Sequence, residues 1–429
     1  MDAATEGYVR LEDAPALPPP SNTVGFRGWL LKNLFSSVWD SLLTLVFGLF
    51  ILWALLNMVN WAVINATWTG ENRDACIWEG AGACWPFVVA KFPQWIYGFY
   101  PGDQRWRISV CLIVGAIALA AMLVPAVPFK KWNAIFLLFF YPQLTIVLLS
   151  GGNFSFDATT YAAIIFLIIV SIAARQLSDH VAIPISCGWG IVFAAMLVVM
   201  LTLDFDFGLA PVETRQWGGL TLTLVISVSG IVASLPLGIL LALGRQSNMP
   251  VVRHISVIFI EFWRGVPLIT VLFMSSVMLP LFLPEDVSFD KLLRAMIGTI
   301  IVSSAYMAEV VRGGLQAIPK GQFEAARALG LSYWQMVGKI ILPQALRIST
   351  PNIVSIFIGL FKDTTLVSII GLFDLLGIVE AGFADPEWAS PNSSSTGYFS
   401  AAVIFWIVCI AMSRYSIYIE RRLATGYKR

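Results

Sequence analysis

"EAARALGLSYWQMVGKIILP", residues 324–343, reads like part of a soluble protein, yet apolar stretches long enough to cross a bilayer flank it. Pro319 suits a helix start, where its missing N–H costs nothing. "KGQFEAARALG" then supplies helix formers, with Phe323, Ala326 and Leu329 on neighbouring rows. Gly330 fits a left-handed stop. Ser332 and Gln335 have capping-box spacing, so a second helix is expected from Tyr333. Pro343 is expected to disrupt or end it. The pattern predicts two short helices joined by a rigid elbow.

The rest of the chain is of another kind. Its 429 residues are 58% hydrophobic and 12% charged, about half the charge of an ordinary soluble domain. With a mean hydropathy of +0.79, the composition defines an all-α polytopic membrane protein. A net charge of +1 argues against an electrostatic nucleic-acid binder. The opening "MDAATEGYVRLEDAPALPPPSN" is acidic and proline-rich with no apolar core, so residues 1–24 are expected to be a disordered tail without a cleavable signal.

Apolar windows predict ten spans, near 41–64, 108–128, 132–150, 158–174, 185–203, 218–243, 263–283, 293–312, 348–372 and 398–418. With both termini cytoplasmic, most of the 27 Lys and Arg fall inside, as the positive-inside bias requires. The loop 313–347 and the basic tail 421–429 are then cytoplasmic. The longest outer loop, 65–107, carries Cys76 and Cys84 in an oxidising compartment. There a disulfide would close a short loop, two free thiols being the alternative. Cys111, Cys187 and Cys409 lie in apolar runs, and His180 and His254 lack metal-ligand spacing, so no metal site is expected. Residues 25–210 read as an accessory transmembrane region, and 211–420 as the working core.

Three readings of 324–343 compete. Ala326, Gly330, Leu331 and Ser332 match a DNA-binding helix–turn–helix, but the basic groove-reading surface is missing. A plain connector is the bland reading, and a docking element for a soluble partner is the third. Here a resemblance decides. Glu324-Ala325-Ala326, three residues, Gly330, nine residues, then Ile340, Leu342 and Pro343 resemble the EAA loop of permease subunits from binding-protein-dependent ABC importers. "EFWRGVPL" (261–268), "AYMAEVVRGGLQAIPKGQFEAARALGL" (305–331) and "FKDTTLVSIIGLFDLL" (361–376) resemble polar-amino-acid permeases. The N-terminal half looks like the larger M-type subunit of general L-amino-acid (Aap/Bzt-type) importers.

The resemblance implies a type I importer permease core in the C-terminal half, plus extra N-terminal spans, in a bacterial inner membrane. It implies that Glu324, Ala325, Ala326, Gly330, Leu342 and Pro343 couple to a cytoplasmic ATPase. It also implies a second permease chain, two ATPase copies and a periplasmic amino-acid-binding protein. "LSGGN" (149–153) imitates an ABC ATPase motif. Without a G-x-x-x-x-G-K-[ST] loop to cradle phosphate, however, there is no ATP site. No catalytic residue or cofactor is expected of this chain, ATP being used by the partner.

A charged side chain at mid-bilayer costs about 2.5–3.5 kcal/mol on insertion scales, so each one needs a reason. Lys362 and Asp363, followed by Thr364 and Thr365, fall about halfway along the ninth expected span. Adjacent helical residues point about 100° apart, so partners on another helix, water or a ligand are implied. With Ser303, Ser304 and Glu309 they supply the charges and hydroxyls a polar L-amino acid would need. Bracing between helices is the competing role, and for Glu309 an ion pair with Arg312. Glu261 and Arg264 are expected to pair at i,i+3, with Pro267 starting or kinking the span as a helix start or gate. Were Lys362, Asp363 and Glu309 proton- or ion-coupling groups, the chain would instead be a secondary amino-acid transporter.

Overall fold

The computed structural model describes residues 25–124, 126–152, 158–177, 194, 196–282 and 289–424. The tail 1–24, most of the expected span 185–203 and residues 425–429 lie outside them. Among the described residues the chain is helical, with isolated bridges joining Thr67 to Cys84 and Gly219 to Asp374.

Among the described residues, seven helices are long and apolar enough to cross a bilayer: Val38–Ile64, Gly102–Leu123, Lys130–Ser150, Gly219–Arg245, Lys291–Gln316, Tyr333–Ile370 and Pro391–Arg422. An eighth candidate is a bent pair, Pro250–Gly265 and Leu268–Phe282, with 98° between its arms. The span expected at 158–174 appears as the helix Ala158–Leu177, whose apolar part, Thr160–Val170, is short.

The bend corrects the expected span 263–283. Helix Pro250–Gly265 ends in an extended Val266, and Pro267 caps the next helix. A residue before proline is driven out of the α region, so a continuous helix through 266 is not available. The first arm presents Val251, Ile255, Ile258 and Phe262 outward as one stripe, while Ser256 and Ile260 are buried against the core.

The core packs through small residues. In a bilayer, apolar burial gives little drive to associate, so helices gain by close backbone approach and interhelical hydrogen bonds. A Cβ on Gly238 would fall 2.7 Å from Met307 Cβ, joining helix Gly219–Arg245 to Lys291–Gln316. Near the end of the latter helix, Ser349 Oγ donates to the Val310 carbonyl at 3.1 Å. That bond ties Lys291–Gln316 to Leu342–Asp363.

The segment around Lys91–Gly98 is fastened to the later helices where Gly219–Arg245 begins. A Cβ on Gly98 (φ +64°) would fall 2.4 Å from Gly218 Cα, and Thr221 Oγ1 donates to the Ile96 carbonyl at 2.8 Å. Lys91 pairs with Asp385, and the Cys84 N–H donates to Thr396 Oγ1 at 2.9 Å. Cys76 and Cys84 form a disulfide and are buried in one apolar cluster with Phe87, Trp95, Leu375, Ile378 and Trp388. This layer thus joins residues 76–98 to residues 375–396.

Candidate functional site

At the opposite end of the core stands the segment 324–343. Pro319 caps helix Lys320–Ala328. Its end is a Schellman motif: the Gly330 N–H donates to the Arg327 carbonyl at 2.9 Å and the Leu331 N–H to the Ala326 carbonyl at 3.2 Å. Gly330 has φ +70°, a conformation that strains an L side chain. Ser332 and Gln335 then form a reciprocal capping box, satisfying two otherwise orphaned donors. The elbow is fixed by hydrogen bonds at both of its ends.

Pro343 does not end the second helix. Tyr333–Met336 passes through a π-helical turn, Val337–Ile341, into Leu342–Asp363 without interruption. Pro343 falls in the first turn of that last segment. The wider preceding turn, in which the Leu342 N–H donates five residues back to the Val337 carbonyl, makes room for the proline ring. The short helix is therefore continuous, through one elbow, with a membrane span.

The helix is seated by Ala326, 1% exposed among Met307, Val311, Leu315, Met336 and Ile341, with Phe323 partly buried beside it. Glu324, Ala325 and Gly330 are exposed. Leu329, expected beside Phe323 and Ala326, is instead 76% exposed, because the helix stops at Ala328 and Leu329 lies on the turn. Tyr333 and Trp334 are also exposed, their rings edge to face at 5.3 Å. Sequence reasoning passes over these two aromatics, although their place directly after a capping Ser in a polar loop is a signal. Leu342 is half-buried and Pro343 exposed.

Charged residues from three helices meet near this end. Glu309 Oε1 accepts from Arg245 Nη1 at 2.8 Å, and Glu309 Oε2 accepts from Arg312 Nη2 at 2.7 Å and Nε at 3.0 Å. Glu261 accepts from Arg245 at 2.7 Å, while Arg264 approaches Glu309 only to 4.0 Å. The expected Glu261–Arg264 pair is not made, because the bent arm lies across the ends of two other helices and meets their charges first. Glu309 is thereby held in an ion-pair network.

Between the bent arm and the two central helices lies a cavity of about 230 Å³ lined by Leu268, Val302, Ser303, Tyr306, Ile356, Gly359, Leu360 and Asp363. Of the expected polar candidates it brings together Ser303 and Asp363. Ser304 is fully buried and donates to the Ile300 carbonyl. Thr364 and Thr365 donate to the carbonyls of Phe361 and Lys362. Lys362 and Asp363 sit at the end of the α-helical part of Tyr333–Ile370, later along the span than expected, where a 3₁₀ segment follows. Neither forms an ion pair among the described residues. Tyr306 and Gly359, absent from the sequence-based set, complete the wall.

A span bundle with a largely apolar cavity that carries Ser303, Tyr306 and Asp363, and with an exposed helix fixed by caps and packed against the span ends, is the architecture of a membrane transport component. Residues 234–425 match the family "Binding-protein-dependent transport system inner membrane component". The inner membrane amino-acid ABC transporter permease protein YhdY of Escherichia coli K12 is 47% identical over 413 residues, covering 96% of this chain and 97% of its own. The glutamate/glutamine/aspartate/asparagine transport system permease protein BztC of Rhodobacter capsulatus is 42% identical over 440 residues, covering 98% and 99%. A solved amino acid ABC transporter with histidines is 28% identical with a TM-score of 0.42, covering 48% of this chain and 92% of its own. This chain belongs to the family of binding-protein-dependent transport system inner membrane components.

Proposed function

We propose that the chain is the permease subunit of an ABC importer carrying polar L-amino acids, the acidic ones and their amides included, into the cytoplasm. Helix Lys320–Ala328 is its docking element for a separate cytoplasmic ATPase. The observation that carries the reading is mechanical: Ala326 is buried among the ends of the spans while Glu324 and Ala325 beside it are exposed. A push on the exposed face is transmitted to Met307 and Val311, and through the uninterrupted turn to Leu342–Asp363.

On this reading both termini face the cytoplasm, a placement that the distribution of basic residues supports. A periplasmic binding protein delivers substrate at the face where the disulfide-bonded layer lies. Two ATPases close around nucleotide, which calls for a second permease chain with its own docking helix. The cavity at Ser303 and Asp363 is the passage, the Asp363 carboxylate receiving the substrate ammonium. Hydrolysis occurs in the partner and no bond chemistry in this chain. An ion-coupled transporter is the weaker reading, since Glu309 has both oxygens engaged by Arg245 and Arg312.

The test is to purify the chain with its ATPase and second permease and reconstitute it with loaded binding protein. Glutamate or glutamine loading should stimulate ATP hydrolysis and uptake. Glu324→Lys should abolish stimulation while the permease pair stays assembled. Uptake that survives loss of the ATPase but collapses with an ion gradient would end the importer reading.

A further inference from the structure

The bent arm Pro250–Gly265 has three faces. At about 100° per residue, Val251, Ile255, Ile258 and Phe262 fall on one stripe, and all four are exposed. Ser256 and Ile260 lie on a second face and are buried. Arg253, His254, Glu261 and Arg264 share the third. Of these, Glu261 is spent on Arg245, and Arg264 stands 4.0 Å from Glu309. Arg253 is exposed and has no ion-pair partner among the described residues.

This pattern belongs to the boundary between acyl chains and water. The arm meets Leu268–Phe282 at 98°, so it runs across the direction of its own span. An apolar stripe beside a charged edge is what a helix lying in a bilayer surface presents. Trp263 packs with Phe262 at 5.0 Å and with Phe259 at 6.2 Å, and Trp favours the headgroup level. The leaflet is the one on the side of helix Lys320–Ala328, because Ile260 and Ala326 belong to one buried cluster.

The charged edge selects the headgroup. Arg253 stands near a helix start that has no acidic residue in its first turn and no side-chain cap. Free backbone N–H groups and a guanidinium both attract phosphate. A zwitterionic lipid brings its own cation to that phosphate, whereas phosphatidylglycerol does not. We propose that helix Pro250–Gly265 is an interfacial helix that binds anionic phospholipid, its stripe seated among acyl chains and Arg253 on the headgroup phosphate. The bound lipid steadies the arm whose far end turns into the membrane at Pro267.

The experiment uses the assembled complex in nanodiscs of phosphatidylcholine and phosphatidylglycerol. Cys111, Cys187 and Cys409 are replaced by Ala, and a spin label is attached through Ile255→Cys or His254→Cys. The label at Ile255 should be reached by oxygen and shielded from a water-soluble nickel chelate, and the label at His254 should show the reverse. A label at Ile255 shielded from both reports a protein partner on the stripe, and one open to the chelate reports water; either overturns the proposal. Native mass spectrometry of the unlabelled complex then compares retention of the two lipids supplied equally. The wild type should prefer phosphatidylglycerol. Arg253→Gln should lower that preference about fivefold, the worth of one cation near a charged membrane surface, and Arg253→Lys should keep most of it. Because Arg253 is exposed, both variants should melt with the wild type. Equal retention of the two lipids by the wild type, or a preference unchanged in Arg253→Gln, also overturns the proposal.

Discussion

Gly314 and Ser349 touch so closely that the helices carrying them have no room for a methyl group between them. A Cβ on Gly314 would lie 2.0 Å from Ser349 Oγ and 2.5 Å from the Ala345 carbonyl oxygen. This contact is where Lys291–Gln316, just ahead of helix Lys320–Ala328, meets Leu342–Asp363. Gly314→Ala should cost about 1–3 kcal/mol, the range for overpacking a tight site, read as a lower melting temperature of the detergent-solubilised complex. Ser349→Gly should rescue little, because the clash with the Ala345 backbone remains. Gly313→Ala, with nothing within 4 Å, should be silent.

Gly330 tests the elbow separately from packing. An added Cβ there meets nothing within 4 Å, so the only penalty is backbone conformation at φ +70°. Gly330→Ala should cost about 1–2 kcal/mol, and Gly330→Asn less, since Asn tolerates the left-handed region better. The effect is local: hydrogen exchange should quicken at the amides of Gly330 and Leu331, which close the Schellman motif. Coupling of ATP hydrolysis to substrate should fall in the same order, Ala below Asn.

These two glycines mark what the sequence could disclose. Gly330, Ser332 and Gln335 act within a few residues of one another, so spacing alone announces the cap and the second helix start. The apolar spans are legible for a similar reason, being set by composition along one stretch. Gly314 gives no such signal, because what forbids its Cβ comes from Ala345 and Ser349. Glu261 and Arg264 mislead, since a good i,i+3 spacing is outcompeted by Arg245 and Glu309 from other helices. Pro343 misleads in another way: its own chemistry says stop, and the π-helical turn before it removes the conflict. The cavity is half legible, through Ser303 and Asp363, whereas Tyr306 and Gly359 are defined only by the walls facing them.

The disulfide between Cys76 and Cys84 gives a direct chemical count. Among the described residues Cys76 and Cys84 are bonded while Cys111 and Cys409 are free, so two cysteines fewer should react when the chain is denatured without reductant than with it. Five should react once reductant is added. The loop closed is short, a separation of 8 residues, so removing the bond should cost about 2–3 kcal/mol in the chain-entropy account. Cys76→Ser and reduced wild type should melt alike.

Asp374 supplies a pH dependence with a definite sign. Its side chain, fully buried in the turn after Ile370, accepts from the Gly377 N–H at 3.0 Å and the Leu376 N–H at 3.3 Å. Burial outweighs those bonds and, helped by nearby Glu380, pushes the carboxyl from its ordinary 3.8 up to about 6. The native state therefore holds this proton more tightly than the unfolded chain does. Its contribution is fully present below about 3.8, declines as pH rises and is lost above about 6. Asp374→Asn removes the titration and keeps one oxygen to cap helix Leu375–Phe383. Measured against this variant, the wild type should lose stability on the order of 2–3 kcal/mol between about pH 4 and pH 7, because raising a pKa by one is worth about 1.36 kcal/mol. Melting curves at several pH values check it: the gap in favour of Asn should widen toward neutrality, and a gap that stays constant or narrows would show that Asp374 titrates as an ordinary carboxyl.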